Sequence, residues 1–181
     1  MAILAISIVR IGSCPSVTRP SDVLTIGFGG GCHWCTEAVF SSLRGVVSVE
    51  QGFIRSDPPN DTWSEAVRIV FDPDLIPLNV LMDVHLRTHA STSNHKMRGK
   101  YRSAVYVISD AEAFEVREVL IALQTEFQDL LVTQVLPLED FKASDSRFHR
   151  YFERNEGGPF CTRYIDPKLA LLRENYAAYA V

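Results

Sequence analysis

The 181-residue sequence lacks the features that mark several large classes of protein. It has no long run of acidic or basic residues and a net charge of only −4, which argues against nucleic acid or an anionic membrane surface as a main partner. The apolar stretch 1–11 has no basic residues before it and is far too short to span a bilayer. We therefore expect no nucleic acid, no membrane association and a cytoplasmic location, with a degenerate signal peptide as the alternative for this stretch.

Cysteine is also scarce. The four cysteines are too few and too unevenly spaced for the disulfide scaffold of a secreted protein: Cys14, Cys32, Cys35 and Cys161. One close pair among few cysteines suits a reducing compartment and either redox or metal chemistry. The sequence has no internal repeat, low-complexity tract or interdomain linker. We expect a variable N-terminal extension over 1–20, in which Cys14 has no role, and a single monomeric domain over 21–181.

Apolar patterning predicts an α+β fold with the element order β-α-β-β-α-β-α-β. The predicted strands are 23–26, 46–54, 63–71, 101–108 and 131–137, and the predicted helices are 37–44, 77–89, 111–127, 146–154 and one from 167. This order indicates a two-layer α/β sandwich with a ferredoxin-like split βαβ core, a mixed sheet and a C-terminal extension. The helices should cover one face of the sheet.

The most informative stretch places Cys32 between a glycine turn and a predicted helix. Glycines allow a tight turn and close approach of a ligand. The unpaired N–H groups of a first helical turn favour negative charge, so a thiol there should lose its proton more easily, and the thiolate is the reactive form. A Cys32-x-x-Cys35 pair that binds zinc or is simply buried is the plainer alternative.

Two further patterns carry ionisable side chains. Glu65 begins an alternating row whose other members are apolar, so its carboxyl group should point inward, where desolvation favours the protonated form. The alternative is that Glu65 reaches solvent at the end of its strand. His85 and His89 are four residues apart on one helical face. The ordinary alternative is that one of them caps the C-terminus of the helix and the other lies on the surface.

Residues 30–40, which run from Gly30 through Cys32, His33, Trp34 and Cys35 to Phe40, resemble the signature of the A-type peptide methionine sulfoxide reductases. Three later stretches resemble that family in the same order. Residues 64–73 resemble the strand that carries its acidic catalytic residue, and residues 100–106 resemble its Tyr-Arg-Ser strand. Residues 160–169 resemble one form of its C-terminal tail. The resemblance covers about residues 23–176. Several weak motifs in the correct order are far more specific than one.

The resemblance implies an enzyme that repairs oxidised proteins under oxidative stress. It would reduce the S-epimer of methionine sulfoxide, free or in proteins, to methionine. Cys32 would attack the sulfoxide sulfur, and Glu65 would give a proton to the leaving oxygen with help from the Tyr101 hydroxyl. Trp34 would pack against the S-methyl group of the substrate.

The family reaction leaves the catalytic cysteine as a sulfenic acid, which condenses with a second thiol. Cys161 follows Gly158-Pro159, a segment expected to be mobile, and is preferred over Cys35 as this resolving cysteine, which predicts a Cys32–Cys161 disulfide. Thioredoxin, or dithiothreitol in its place, would then reduce the disulfide. No bound cofactor and no metal are expected.

The sequence departs from the family pattern at three places, so we expect a divergent branch. His33 replaces the usual phenylalanine, the short loop 55–62 lacks a second tyrosine, and no acidic residue precedes Tyr101. His33 or His95 could supply the missing hydrogen-bond donor, and we expect His33, Trp34 and His95 to bind substrate.

Three other functions remain open at this point. The first is a zinc-binding module that uses Cys32, Cys35, His85 and His89. The second is a general dithiol oxidoreductase that uses Cys32 and Cys35 alone. The third is an inactive relative that only binds oxidised methionine.

Overall fold

The computed structural model describes residues 22–181, so the predictions for the extension 1–20 and for Cys14 lie outside the described residues. The strands are β1 (Leu24–Gly29), β2 (Val46–Arg55), β3 (Ser64–Phe71), β4 (Ala104–Val107), β5 (Gln134–Pro137) and β6 (Asp140–Ala143). The helices are α1 (His33–Ser41), α2 (Leu78–Thr88), α3 (Asp110–Gln124), the short α4 (Tyr151–Arg154) and α5 (Asp166–Asn175). A turn of wider, π-type helix, Cys161–Ile165, leads directly into α5.

The six strands form one mixed sheet in the order β5-β4-β1-β3-β2-β6. β1 is antiparallel to β3 and β4, and β2 is antiparallel to β3 and β6, whereas β4 and β5 are parallel. The four central strands, with α1 after β1 and α2 after β3, form the predicted split βαβ core. The predicted α+β fold is confirmed, and β6 is an edge strand that the sequence did not predict.

The main core lies between one face of the sheet and the helices. Its centre is Phe28 on β1, which stacks on Phe40 of α1 with ring centroids 4.7 Å apart. A smaller apolar cluster on the opposite face contains Ile54 and Tyr106 and is covered by partly buried side chains after β4. Within residues 22–181, no helix is long and apolar enough to cross a membrane.

The start of the site differs from the prediction in its element boundaries. β1 continues to Gly29, beyond the predicted end at residue 26, and α1 begins at His33 rather than at residue 37. A side chain at Gly27 would meet Ile54 Cδ1 at 2.7 Å, so this glycine permits close strand packing rather than a turn. The turn is therefore limited to Gly30 and Gly31, and the helix begins immediately after Cys32.

One prediction about the helices is wrong. The apolar spacing of the predicted helix 111–127 places Phe114 on the core-facing side, but its side chain is 67% exposed, and Ala113 and Val116 are the buried residues of α3. Cys161 is fully buried in the π-type turn, which packs against the main core. The mobility expected of this segment stays a prediction.

Candidate active site

Cys32 lies at the N-cap of α1 and is partly exposed. Its sulfur accepts hydrogen bonds from the Cys35 thiol and from the backbone N–H groups of Trp34 and Cys35. The hydrogen bond from the Cys35 thiol has the largest effect on the pKa of Cys32 and lowers it. Burial and the Glu65 charge raise this pKa, but the three donors outweigh them, so the pKa of Cys32 is lowered. The resulting thiolate is the nucleophilic form of the side chain.

Cys35 lies one helical turn further along α1 and is buried. The pKa of its thiol is raised, first because the proton is donated to Cys32 and then because the side chain is desolvated. The two cysteines are thus a thiolate and a thiol in direct contact. This pair can support nucleophilic attack by Cys32 and disulfide formation with Cys35.

Glu65 is buried at the start of β3, as the alternation predicts, with 7% of its surface exposed. Its Oε2 accepts the backbone N–H of His33 at 3.1 Å, and its Oε1 lies 3.3 Å from Lys100 Nζ. Its surroundings are therefore more polar than the apolar row suggested. The His33 contact holds the carboxyl group beside the first turn of α1, next to Cys32.

Tyr101 is joined to Glu65 through Lys100. The Lys100 ammonium makes side-chain hydrogen bonds to both Tyr101 and Glu65, which raise the pKa of Lys100. Lys100 Nζ also lies 5.0 Å from the centre of the Tyr101 ring. The Glu65 carboxyl group, at the start of β3, and the Tyr101 phenol, in the loop before β4, are therefore two linked polar groups near Cys32.

A cavity of about 300 Å³ opens beside Cys32. It brings together three of the predicted site residues, Cys32, Tyr101 and His95, and adds Cys35 and Lys168. Glu65, His33 and Trp34 do not line it. Cys32 therefore lies between this cavity on one side and the Glu65 carboxyl group on the other.

His33 faces away from the cavity. Its ring nitrogen Nδ1 lies 3.0 Å from the Gly52 carbonyl oxygen, and its ring meets Phe53 edge-on with centroids 5.4 Å apart. The side chain is 6% exposed. His33 therefore fills a buried position in the wall, as the phenylalanine of the family pattern would.

Trp34 belongs to an aromatic cluster. Its indole ring stacks on Tyr151 with centroids 4.1 Å apart and 3° between the planes, and it meets Phe160 edge-on at 5.6 Å. The indole N–H is buried without a hydrogen-bond partner. The C-terminal segment thus covers the ring that was predicted to contact the substrate methyl group.

Buried Glu37 attaches this C-terminal segment to α1. Its carboxylate accepts the backbone N–H of Arg150 at 2.9 Å, the backbone N–H of Tyr151 at 3.4 Å and the Gln51 side-chain amide at 2.9 Å. Gln51 also donates to the Phe148 carbonyl oxygen at 2.5 Å. The position of the aromatic cluster over Trp34 therefore depends on one carboxylate.

His85 of α2 and His89, which follows the last residue of that helix, both line the cavity but make hydrogen bonds elsewhere. His85 Nε2 lies 2.8 Å from the Gly29 carbonyl oxygen, and His89 contacts the His85 carbonyl oxygen and Ser103 Oγ. Burial lowers the pKa of both rings, to about 4 for His89. Across residues 22–181, no group of three or more His, Cys, Asp or Glu residues is arranged to hold a metal ion.

Residues 24–179 match the family model described as "Peptide methionine sulfoxide reductase". The chain belongs to the peptide methionine sulfoxide reductase family. It is 35% identical to MsrA of Deinococcus radiodurans over 82% of this chain and 80% of that protein. It is 30% identical to MsrA of Sulfolobus acidocaldarius over 86% of this chain and 95% of that protein. The chain is thus a thiol-dependent methionine sulfoxide reductase, and the zinc-binding and general dithiol alternatives are not favoured.

Solved structures of methionine sulfoxide reductases share the fold. Methionine sulfoxide reductase A of Corynebacterium diphtheriae superposes with a TM-score of 0.65 at 24% identity, covering 78% of each chain. Reduced Mxr1 of Saccharomyces cerevisiae gives a TM-score of 0.65 at 21% identity, covering 81% of this chain and 93% of that one. The arrangement of sheet and helices is therefore that of this family.

Sequence reasoning missed two cationic residues of this reductase. Lys100 contacts Glu65, and Lys168 enters the cavity from the start of α5. Lys100 could have been noticed because it immediately precedes Tyr101. No local signal marks Lys168, because only the tertiary packing of α5 brings it near the cysteines.

Proposed function

We propose that this enzyme reduces the S-epimer of methionine sulfoxide with Cys32 as the nucleophile. The observation that carries the proposal is a partly exposed thiol of lowered pKa at the start of α1, held beside the buried Glu65 carboxyl group. The family reaction needs both groups, a sulfur nucleophile and an acid for the departing oxygen. A general dithiol exchange would need no such acid.

In the first step, the Cys32 thiolate attacks the sulfoxide sulfur, and Glu65 transfers a proton to the oxygen. The Tyr101 hydroxyl donates a hydrogen bond to the same oxygen, and Lys100 keeps the Glu65 and Tyr101 side chains together. The hydroxyl oxygen then passes from the substrate sulfur to the Cys32 sulfur, the bond between the two sulfurs breaks, methionine leaves and Cys32 becomes a sulfenic acid. Proton transfer of this kind contributes about 10²- to 10⁴-fold to a rate.

His33, Trp34 and His95 are the proposed substrate-binding residues. His95 lines the cavity with Tyr101, and in this proposal its ring donates a hydrogen bond to the sulfoxide oxygen. His33 and Trp34 flank Cys32, and their rings are 6.3 Å apart between centroids. In this proposal, Trp34 borders the space for the S-methyl group once the aromatic cluster over it moves, and the buried His33 supports the same space from behind through its contact with Phe53.

For the second step, we propose that Cys35, rather than Cys161, is the resolving cysteine that forms a disulfide with Cys32. The Cys35 thiol already contacts Cys32, whereas Cys161 is fully buried in the turn before α5. Cys161 acts on Cys35 electrostatically, so it lies close to the pair. Because Cys161 is buried, a Cys32–Cys161 disulfide would in this proposal require the turn before α5 to open.

A thioredoxin-like dithiol is the proposed reductant of the disulfide. Mxr1 of Saccharomyces cerevisiae has been solved in complex with Trx2, with a TM-score of 0.56 at 21% identity over 70% of this chain. We also propose that the enzyme is a monomer, that it acts on both free and protein-bound methionine sulfoxide, and that it is located in the cytoplasm. Dithiothreitol should replace thioredoxin in vitro.

The test is an assay of the two methionine sulfoxide epimers, each with dithiothreitol, for the wild-type chain and Cys32→Ser. The proposal expects methionine from the S-epimer alone, with loss of turnover in the variant, because a hydroxyl is a far weaker nucleophile than a thiolate. Equal activity in Cys32→Ser, or turnover of the R-epimer alone, would refute it.

A further inference from the structure

Lys168 carries a cation into the cavity behind the cysteine pair. It lies near the start of α5 and lines the cavity together with Cys32 and Cys35. Its ammonium group donates a hydrogen bond to the Thr88 carbonyl oxygen. In the part of the chain that the structure describes, the partly buried Lys168 is in none of the ion pairs with carboxylates, which is unusual for a lysine removed from solvent.

The charges that act on Lys168 belong to the two cysteines. Burial lowers the pKa of Lys168, while negative charge on Cys35, and then on Cys32, raises it. The ionisable groups that line the cavity with Lys168 are Cys32, Cys35, His85, His89, His95, Tyr101 and Tyr164, and Cys161 acts on Cys35. Burial lowers the pKa of His85 and of His89, so these two rings are neutral at pH 7. Among these groups, a cysteine sulfur is therefore the available anionic partner for Lys168.

The environment of Cys35 changes during the reaction. In the resting enzyme, its pKa is raised by the hydrogen bond to Cys32, by burial and by the charge of Cys32. Once Cys32 is a sulfenic acid, its sulfur no longer carries a negative charge. Burial still opposes ionisation of Cys35 at that stage, whereas Lys168 favours it. The cation is thus placed to act when Cys35 has to become a nucleophile.

We propose that Lys168 activates Cys35 for the disulfide-forming step, an inference that rests on the proposed function. The Cys35 thiol loses its proton to solvent and becomes a thiolate that the Lys168 ammonium stabilises, and the sulfenic oxygen takes up a proton from solvent. The Cys35 sulfur then bonds to the Cys32 sulfur, the S–O bond of the sulfenic acid breaks, and water leaves. Lys168 ends the step unchanged, and it acts more strongly on Cys35 than on Cys32.

The experiment separates the two steps in one turnover without reductant. Full-length wild type, Lys168→Met, Lys168→Gln and Lys168→Arg are mixed with one equivalent of methionine S-sulfoxide. Released methionine reports the first step, and quenched samples are scored by mass for disulfide and for sulfenic acid trapped with dimedone. Lys142→Met, at an exposed site on β6, is the control for loss of a lysine.

Lys168 also acts on the charge of Cys32, so methionine release should slow in the Lys168 variants, but by clearly less than disulfide formation does. Disulfide formation should slow about tenfold or more in Lys168→Met and Lys168→Gln, and its rate should rise with pH at a higher midpoint, since fewer thiolates form without the cation. Trapped sulfenic acid should increase accordingly. Lys168→Arg should restore much of the rate, and Lys142→Met should match wild type.

Disulfide formation at the wild-type rate and pH midpoint in both Lys168→Met and Lys168→Gln would overturn the inference. A parallel loss of methionine release and disulfide formation in folded variants would also overturn it, because Lys168 would then act mainly on Cys32. The Lys168→Gln side chain can still donate a hydrogen bond to the Thr88 carbonyl oxygen. Slower disulfide formation in this variant would therefore not be explained by loss of that hydrogen bond alone. Failure of wild type to release methionine would instead overturn the proposed function itself.

Discussion

Cys32 and Cys35 are three residues apart in the same helix, yet their chemistry is opposite. Cys32 accepts three hydrogen bonds at the free end of α1, which lower its pKa. Cys35 donates one of those bonds from a buried position, which raises its pKa. One pair of side chains therefore provides both an attacking thiolate and a protonated partner for the sulfenic acid.

At the scale of single residues, Glu65 gives the most direct mutational test of the first step. Glu65→Gln keeps an oxygen that can accept the His33 N–H but loses the acidic proton, so kcat for the S-epimer should fall by about 10²- to 10⁴-fold. Glu50→Gln is a suitable control, because Glu50 pairs with Arg68 at the exposed surface. Turnover of Glu65→Gln within a few-fold of wild type would remove Glu65 from the mechanism.

The sequence predicts some of these residues better than others. The glycine turn predicts Cys32 at a helix start, and strict alternation predicts the burial of Glu65, because both depend on local geometry. The contacts of Glu65 with Lys100 and of the cysteines with Lys168 depend on tertiary packing between distant segments. A single sequence carries no signal for such contacts.

At the scale of elements, the segment after β6 is the part that covers the site. It passes over Trp34 with its aromatic side chains and is attached to α1 through two backbone hydrogen bonds to Glu37. Arg150, at the attachment point, has a left-handed backbone with φ of 54°. The cover therefore has a defined geometry that a substrate or reductant would have to displace.

Removal of this attachment should weaken the fold and release the cover. Glu37→Ala leaves the Arg150 and Tyr151 N–H groups without their acceptor and should lower the free energy of unfolding by about 1–3 kcal/mol. Urea unfolding followed by tryptophan fluorescence measures this change. Glu118→Ala, at an exposed position on α3, is the control and should be close to wild type. A Glu37→Ala variant as stable as Glu118→Ala would show that the attachment contributes nothing.

Local patterns predict the elements of the sheet core but not the C-terminal part. The strand predicted over 63–71 is present as β3, although burial alternates only in its second half because the first four residues are all buried. The sequence also predicts a cap before α3, and the Ser109 side chain accepts the Glu112 N–H at 3.2 Å. The predicted helix 146–154 is instead a short 3₁₀ turn followed by α4. Its side chains are arranged by contacts with α1, which outweigh local helix propensity.

At the scale of the whole molecule, two neutral imidazoles lie close to the centre of the fold. His85 stacks on His89 with centroids 4.2 Å apart and tilts against Phe28 at 4.8 Å. A side chain at Gly30 would clash with the His89 ring, so the turn that presents Cys32 packs directly on this pair. Protonation of either ring would place a charge inside the packed structure.

This arrangement predicts that acid destabilises the protein. Burial lowers the pKa of His89 from 6.5 to about 4 and that of His85 well below its usual value. The unfolded chain therefore binds more protons than the folded chain below pH 6.5, so stability is full above that pH and falls as the pH decreases toward 4. We expect urea unfolding to show a loss of roughly 2 kcal/mol between pH 7 and pH 5 from His89 alone. His89→Gln should lose this contribution, and equal pH dependence in wild type and variant would contradict the account.

The most direct test of the central claim is the fate of the cysteines after a single turnover with methionine S-sulfoxide in the absence of reductant. The account predicts one equivalent of methionine per chain and, on peptide mapping, a disulfide between Cys32 and Cys35. A disulfide between Cys32 and Cys161 would keep Cys32 as the nucleophile but contradict the resolving role of Cys35. Methionine release with Cys32 still a free thiol would contradict the account as a whole.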